Sequence, residues 1–259
     1  MGSFCRYCGR YVFDTPFCPY CGARQGYFAP HPPSYSSSPS ITLGFERLSD
    51  GTLSVRSLVD KNATDIVIPE GVTVIEKNAF IETNIKSVTF PSTLKKIGEF
   101  AFYHCSNLIS VTLNKGLEII EEYAFTGCPI SKIDIPDSVK QIEQNAFCNC
   151  PKLSDVNISS CNSALTYLGD AAFNTCTSLT SFTFPKSFGR LGSWTFAHCS
   201  SLKSLSYFCR LYNYQSGYRA FDDCDNLSIV IVCNEEIDYY TDLLKSDFPP
   251  KTTIIRRSY

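Results

Sequence analysis

Residues 97–113, IGEFAFYHCSNLISVTL, carry the pattern that decides the fold. Its centre, Ala-Phe-x-x-Cys-x-x-Leu, returns as AFCNCPKL at 146–153, AFNTCTSL at 172–179 and AFDDCDNL at 220–227, and with Thr in place of Ala as TFAHCSSL at 195–202. The phenylalanines fall at Phe80, Phe102, Phe125, Phe147, Phe173, Phe196 and Phe221, in steps of 22, 23, 22, 26, 23 and 25 residues. A repeat of that length is the sequence mark of a solenoid: no single unit can bury its apolar face, but stacked units cover one another.

Working outward from the landmark, each unit begins with a short alternating run: IVIP (66–69), VTFP (88–91), VTLN (111–114), IDIP (133–136), VNIS (156–159) and FTFP (182–185). Period-two alternation sends Val88 and Phe90, or Ile133 and Ile135, to one face and Thr89 or Asp134 to the other. Proline after the run suits a strand end, where no ladder donor is required. A second run follows, as in LKKI (94–97), LEII (117–120) and VKQI (139–142), before the Ala-Phe-x-x-Cys turn. The pattern predicts a β-rich solenoid with one strand per coil in a parallel sheet, and short helical turns that bring Phe and Cys into the interior from the opposite side.

A cysteine held at one offset in six coils calls for metal, disulfide, catalytic or packing chemistry. Cys105, Cys128, Cys150, Cys176, Cys199 and Cys224 would form a column spaced about 4.7–4.9 Å apart. Parallel Cβ vectors fit a disulfide poorly, and free cysteine behaves as a small buried hydrophobe. Packing is therefore the expected role, with Thr83 taking the place of Cys in the first coil. Cys148, Cys161, Cys209 and Cys233 lie outside the column.

Residues 41–259 resemble the BspA-like class of leucine-rich repeat proteins, on units of the form Ile-x-x-x-Ala-Phe-x-x-Cys-x-x-Leu-x-x-Val-x-Leu-Pro. Departures include Thr83 for Cys, Asn114 and Ser159 for Pro, and the degenerate stretch 205–219, LSYFCRLYNYQSGYR. The resemblance implies protein or cell-surface binding without catalysis.

The flanks divide the chain further. Residues 26–40, GYFAPHPPSYSSSPS, hold four prolines and five serines and read as a flexible, partly extended linker. The solenoid is expected over 41–233, opened by a hairpin cap in which Asp50-Gly51 turns between two alternating runs. Residues 234–248, NEEIDYYTDLLKSDF, read as an amphipathic helix, and PPKTTIIRRS as a turn and final strand. Together, residues 234–259 would cap the open end.

The strongest chemical signal lies in residues 1–25. Cys5, Cys8, Cys18 and Cys21 form C-x2-C-x9-C-x2-C, with Gly9 and Gly22 directly after each pair. Two closely spaced cysteines bind a metal from one tight turn, and four thiolates make the closed tetrahedral site of structural zinc. The segment resembles the short zinc ribbons of many bacterial proteins. A rubredoxin-like iron site and a redox dithiol are the alternatives, the latter lacking any surrounding βαβ pattern.

Other chemistry is thinly supplied. The chain has 3 histidines; His31 sits in the linker, while His104 and His198 would lie four coils, roughly 19 Å, apart and could share no metal. Phosphate loops, nucleophile elbows and His-Glu-x-x-His motifs are missing, so no enzyme is expected. A formal net charge of −2 argues against nucleic acid as the main partner. No apolar run reaches the ~20 residues of a membrane span. Without a visible signal peptide, a cytoplasmic protein is expected, with cell-surface or non-classically secreted placement as the alternative.

Two surfaces are candidates for a protein partner. One is the outward strand ladder: Val67, Thr89, Thr112, Asp134, Asn157, Thr183, Ser206 and Val230. The other is the position before each Ala-Phe, which holds Phe100, Tyr123 and Trp194. Competing readings make the N-terminal ribbon a nucleic-acid or complex tether through Arg6, Arg10, Arg24 and the aromatics Tyr7, Tyr11 and Tyr20, or make the thiols a redox sensor.

Overall fold

The computed structural model describes residues 3–4, 11–12, 43–208, 216–232 and 248–256, with the backbone alone for Ser3, Phe4, Tyr11, Val12 and Arg256. The first alternating run of each unit forms a strand, and these strands pair in parallel from coil to coil. Asp65–Val67, Ser87–Thr89 and Ser110–Thr112 form one group, Lys132–Asp134 and Asp155–Asn157 a second, and Ser181–Phe184, Ser204–Tyr207, Ile229–Val232 and Thr253–Arg256 a third. Along this side Val67 faces Thr89 and Thr89 faces Thr112, so one sequence offset is one column in space.

The expectation of a single sheet is corrected: there are two sides of strands. The second runs build an eight-stranded sheet, from Leu43–Arg47 and Leu53–Leu58 through Val72–Ile75, Lys96–Ile97, Ile119–Ile120, Gln141–Ile142 and Tyr167–Leu168 to Arg190–Leu191. Ile97, Ile120, Ile142, Leu168 and Leu191 point into the core from it. All its pairs are parallel except the opening hairpin of Leu43–Arg47 with Leu53–Leu58. Gly51 makes that hairpin's turn at φ 85°, and the Asp50 carboxylate accepts the Thr52 N–H at 2.9 Å.

The third side of each coil is the Ala-Phe-x-x-Cys segment. Helical turns were expected there, yet none of the described residues is helical. The residue before Ala-Phe and the residue before Cys lie in the left-handed region: Phe100 (φ 55°) and His104 (51°), Asn145 (56°) and Asn149 (54°), Trp194 (52°) and His198 (60°). A right-handed helix cannot run through such residues. Instead the peptide groups alternate in direction. Phe102 N–H donates to Ala124 O of the next coil at 2.8 Å, Tyr103 N–H to Phe100 O of its own turn at 3.2 Å, and His104 N–H to Thr126 O at 2.8 Å. The turns thus form a third coil-to-coil hydrogen-bond ladder.

Between the three sides lies the core. The seven landmark phenylalanines stack in one pile, with centroids 4.9 Å apart at Phe80–Phe102, 5.3 Å at Phe125–Phe147 and at Phe147–Phe173, and 5.5 Å at Phe196–Phe221. None of the seven exposes more than 2% of its surface. Close approach of neighbouring coils also fixes two glycines, because a Cβ on Gly169 or Gly192 would run into the backbone of the coil before it, at Gln144 and Asp170 respectively. At the far end, Thr253–Arg256 continues the strand side and Phe248 packs on Phe221 at 5.2 Å. The helix expected over 234–248 lies outside the described residues except for Phe248.

Candidate binding surfaces

The strand ladder presents the outward positions largely as expected. Thr89, Thr112, Asp134 and Asn157 are exposed, Thr183 and Ser206 are half-buried, and Val67 is 72% exposed. Val230 is a correction, since it is fully buried. Pairing sets Leu205 against Val230 and Ser206 against Ile231. Ile231 therefore continues the outward column, beside Ile229 and Ile255, each 38% exposed. In IVIV both phases of the alternation are apolar, so the sequence there carries no sign of which one faces out.

The middle of the ladder is polar and internally bonded. Asn157 Nδ2 donates to Asp134 Oδ1 at 2.6 Å, and Lys132 Nζ sits 3.4 Å from the same oxygen. One coil from the opening end, Ser87 Oγ donates to Asp65 Oδ1 at 2.5 Å; this bond and one from Thr64 hold the Asp65 carboxyl below its ordinary range. A partner reaching this face would meet short hydroxyls and one carboxylate–amide pair on a regular grid.

The aromatic positions do converge. Phe100 and Tyr123 stack at 4.7 Å and 10°, and Tyr103, which sequence reasoning did not single out, meets Phe100 edge-on at 5.3 Å. All three rings are half-buried. Their common signal was available: Tyr103 lies three residues after Phe100, within the same turn. Trp194 is apart from them, 43% exposed, and packs edge-on to Tyr218 at 5.7 Å.

The cysteine column is buried as expected, and it does more than fill space. Each thiol donates to the carbonyl of the landmark phenylalanine one coil back: Cys105 to Phe80 at 3.0 Å, Cys128 to Phe102 at 3.1 Å, Cys150 to Phe125, Cys176 to Phe147 and Cys199 to Phe173 at 3.2 Å, and Cys224 to Phe196 at 3.0 Å. Thr83 Oγ1 donates to Phe80 O of its own turn at 2.8 Å, a hydroxyl standing where the thiol would be. Burial pushes the Cys150 and Cys224 thiols up to about 12, and raises Cys176 and Cys199 as well. Such thiols resist forming the thiolate that oxidation and metal binding need.

His104 and His198 face solvent on separate coils, the latter with Nδ1 3.0 Å from Asp223 Oδ2. Among the described residues no group of His, Cys, Asp and Glu is placed to hold a metal. Cys5, Cys8, Cys18 and Cys21 lie outside the described residues. The nearest described backbone is the antiparallel pair Ser3–Phe4 with Tyr11–Val12, between which Cys5 and Cys8 fall in the sequence. On the second sheet, the charges that sequence reasoning passed over bridge coils: Glu118 lies 3.4 Å from Lys95 Nζ and 2.7 Å from Lys140 Nζ.

Three sides of stacked coils, with one phenylalanine at a constant place in each and one thiol three residues later in all but the first, agree with a family model. The model for the BspA type leucine rich repeat region, 6 copies, matches residues 54–159 and 118–241. This chain belongs to the BspA-type leucine-rich repeat family. Among solved structures, a Treponema pallidum leucine-rich repeat protein is similar at 22% identity, with a TM-score of 0.66 over 86% of this chain and 100% of that one. A leucine-rich repeat protein from Bacteroides ovatus is 20% identical over 86% of this chain and 79% of its own, with a TM-score of 0.35. Among curated proteins none matches. The family model and the likeness to the Treponema pallidum structure establish the leucine-rich-repeat fold. No helix of the described residues is long and apolar enough to cross a membrane.

Proposed function

We propose that the protein is a non-catalytic scaffold that binds a protein partner through its strand ladder, chiefly Thr89, Thr112, Asp134, Asn157 and Thr183. The observation that carries this reading is the contrast in freedom between positions. The inward residues and turns are committed to stacking, while these outward side chains make few contacts, chiefly Asn157 and Lys132 with Asp134, and stand in register within each strand group, Thr89 against Thr112 and Asp134 against Asn157. Stacked strands offer one continuous surface, which suits a macromolecule more than a small molecule. Replacing Thr112, Asp134 and Asn157 together by Lys should abolish partner retention; undiminished retention would remove the ladder from the account.

The same reading gives Cys5, Cys8, Cys18 and Cys21 one structural zinc. The chemistry of four thiolates in two matched pairs supports it, as does the antiparallel strand pair that brackets Cys5 and Cys8. A bound zinc would supply cross-linking there and no catalysis. A thiolate set of this kind suits a reducing compartment and hence the cytoplasm. Native mass spectrometry of the full chain should show one zinc, lost on Cys18→Ser with the solenoid still folded. Full zinc content in that variant would overturn the assignment.

A further inference from the structure

The Phe100–Tyr103–Tyr123 cluster is a built aromatic surface with an occupant to hand. Phe100 and Tyr123 stack at 4.7 Å, Tyr103 lies edge-on to both at 5.3 and 6.5 Å, and His104 packs against Tyr103 at 4.2 Å. The exposed Ile81 sits one coil back in the column of Tyr103, since Glu82 N–H donates to Tyr103 O. Packing alone does not require rings here. The equivalent residues in the flanking coils are Asn78 and Asn145, with φ of 61° and 56° against 55° for Phe100 and 57° for Tyr123. Asparagine tolerates that conformation better than an aromatic residue does. The rings are therefore placed at a cost to the backbone, where smaller residues serve the fold.

The chain enters the solenoid on this same side. Leu43 pairs with Leu58, Leu58 N–H donates to Ala79 O, and Phe80 N–H donates to Ala101 O, so the start of the hairpin stands three strand-spacings from the Phe100 turn. That is about 14 Å. Upstream of Leu43 lies Ala29–Tyr35, APHPPSY, in a stretch from 26 to 40 that has no Asp, Glu, Lys or Arg. The residues between Tyr35 and Leu43 can span about 20 Å or more when extended. Proline-rich segments recognise clustered aromatic rings because the extended polyproline form is ordered in advance and its rings pack on π faces.

We propose that the proline-rich segment Ala29–Tyr35 docks in cis on the Phe100–Tyr103–Tyr123 cluster. The uncharged segment meets an aromatic surface beside which Lys77 Nζ, 5.7 Å from the Phe100 centroid, is paired with Glu99 at 2.7 Å, and the short tether keeps the segment at high effective concentration, so modest contacts suffice. Docking would set the direction in which residues 1–25 leave the solenoid. The proposal is independent of the strand-ladder reading, because the cluster lies on the turn side and contributes no residue to the ladder.

The test is limited chymotryptic cleavage after Tyr35 in the full chain, with each rate divided by that of a free peptide of matching sequence spanning residues 26–40. Docking should slow cleavage about tenfold or more, because cleavage follows the undocked population. Two variants should each restore the free-peptide rate: Phe100→Asn with Tyr123→Asn, which installs the residue the flanking coils carry, and Pro32→Ser with Pro33→Ser, which leaves the solenoid untouched. Wild-type cleavage at the free-peptide rate would overturn the proposal, as would protection that survives either variant. Protection that fades on dilution would also overturn it, assigning the surface to the segment of a second copy.

Discussion

The turn side and the strand ladder are built from the same repeat, yet they obey opposite rules. On the turn side backbone, thiol and ring all reach the neighbouring coil: Phe147 N–H donates to Ala172 O at 2.8 Å, the Cys176 thiol reaches back to Phe147 O at 3.2 Å, and the Phe147 ring lies between two others. On the ladder the backbone pairing is constant while the outward side chains run from valine through threonine to aspartate and asparagine without disturbing it, bonding across coils only at points such as Asn157 to Asp134. The repeat is written in the residues that stacking constrains. Where it fades, the molecule is free to be specific.

Breaking the constrained side should cost most. Phe147→Ala removes a fully buried ring from the centre of the pile, and truncations of this kind cost about 3–5 kcal/mol. Urea unfolding should show the loss directly, and an unchanged midpoint would mean that the pile does not hold the coils together.

A smaller effect separates hydrogen bonding from mere filling within the same column. Cys176→Ala loses both the thiol's bulk and its bond to Phe147 O, which together should cost about 1–2 kcal/mol. Cys176→Ser keeps a donor, as Thr83 does in the first coil. In unfolding experiments the serine variant should recover part of the loss despite its greater polarity. If serine is the worse of the two, the thiol acts through its apolar character and the bond contributes little.

Much of this division was legible in the sequence. The spacing of Phe80 to Phe221 gave the number and stacking of the coils, and the alternation in VTFP or IDIP told inside from outside. Three things were not legible, each for a physical reason. Runs such as KI (96–97) and II (119–120) are too short for period-two alternation to show a strand, so the second sheet was hidden. The turns combine good helix formers with left-handed positions filled by Phe100, Tyr123 or Trp194, residues that give no warning of positive φ as glycine would. The outward phase at Ile229–Val232 was ambiguous because every residue there is apolar. On the functional side, the exposed positions Thr89 to Asn157 could be read from the pattern, but the joining of Tyr123 to Phe100 and Tyr103 depends on how successive turns stack.

The measurement closest to the central claim is partner retention and thermal stability, read on the same preparation, for Thr112→Lys/Asp134→Lys/Asn157→Lys. Its side chains leave the core untouched, and the contacts it breaks are exposed ones worth little. Stability should change by no more than about 0.5 kcal/mol per site, while retention of the partner is lost. Retention at the wild-type level in a protein that melts as wild type would contradict the account, because the side of the molecule left free by the repeat would then not be the side that binds.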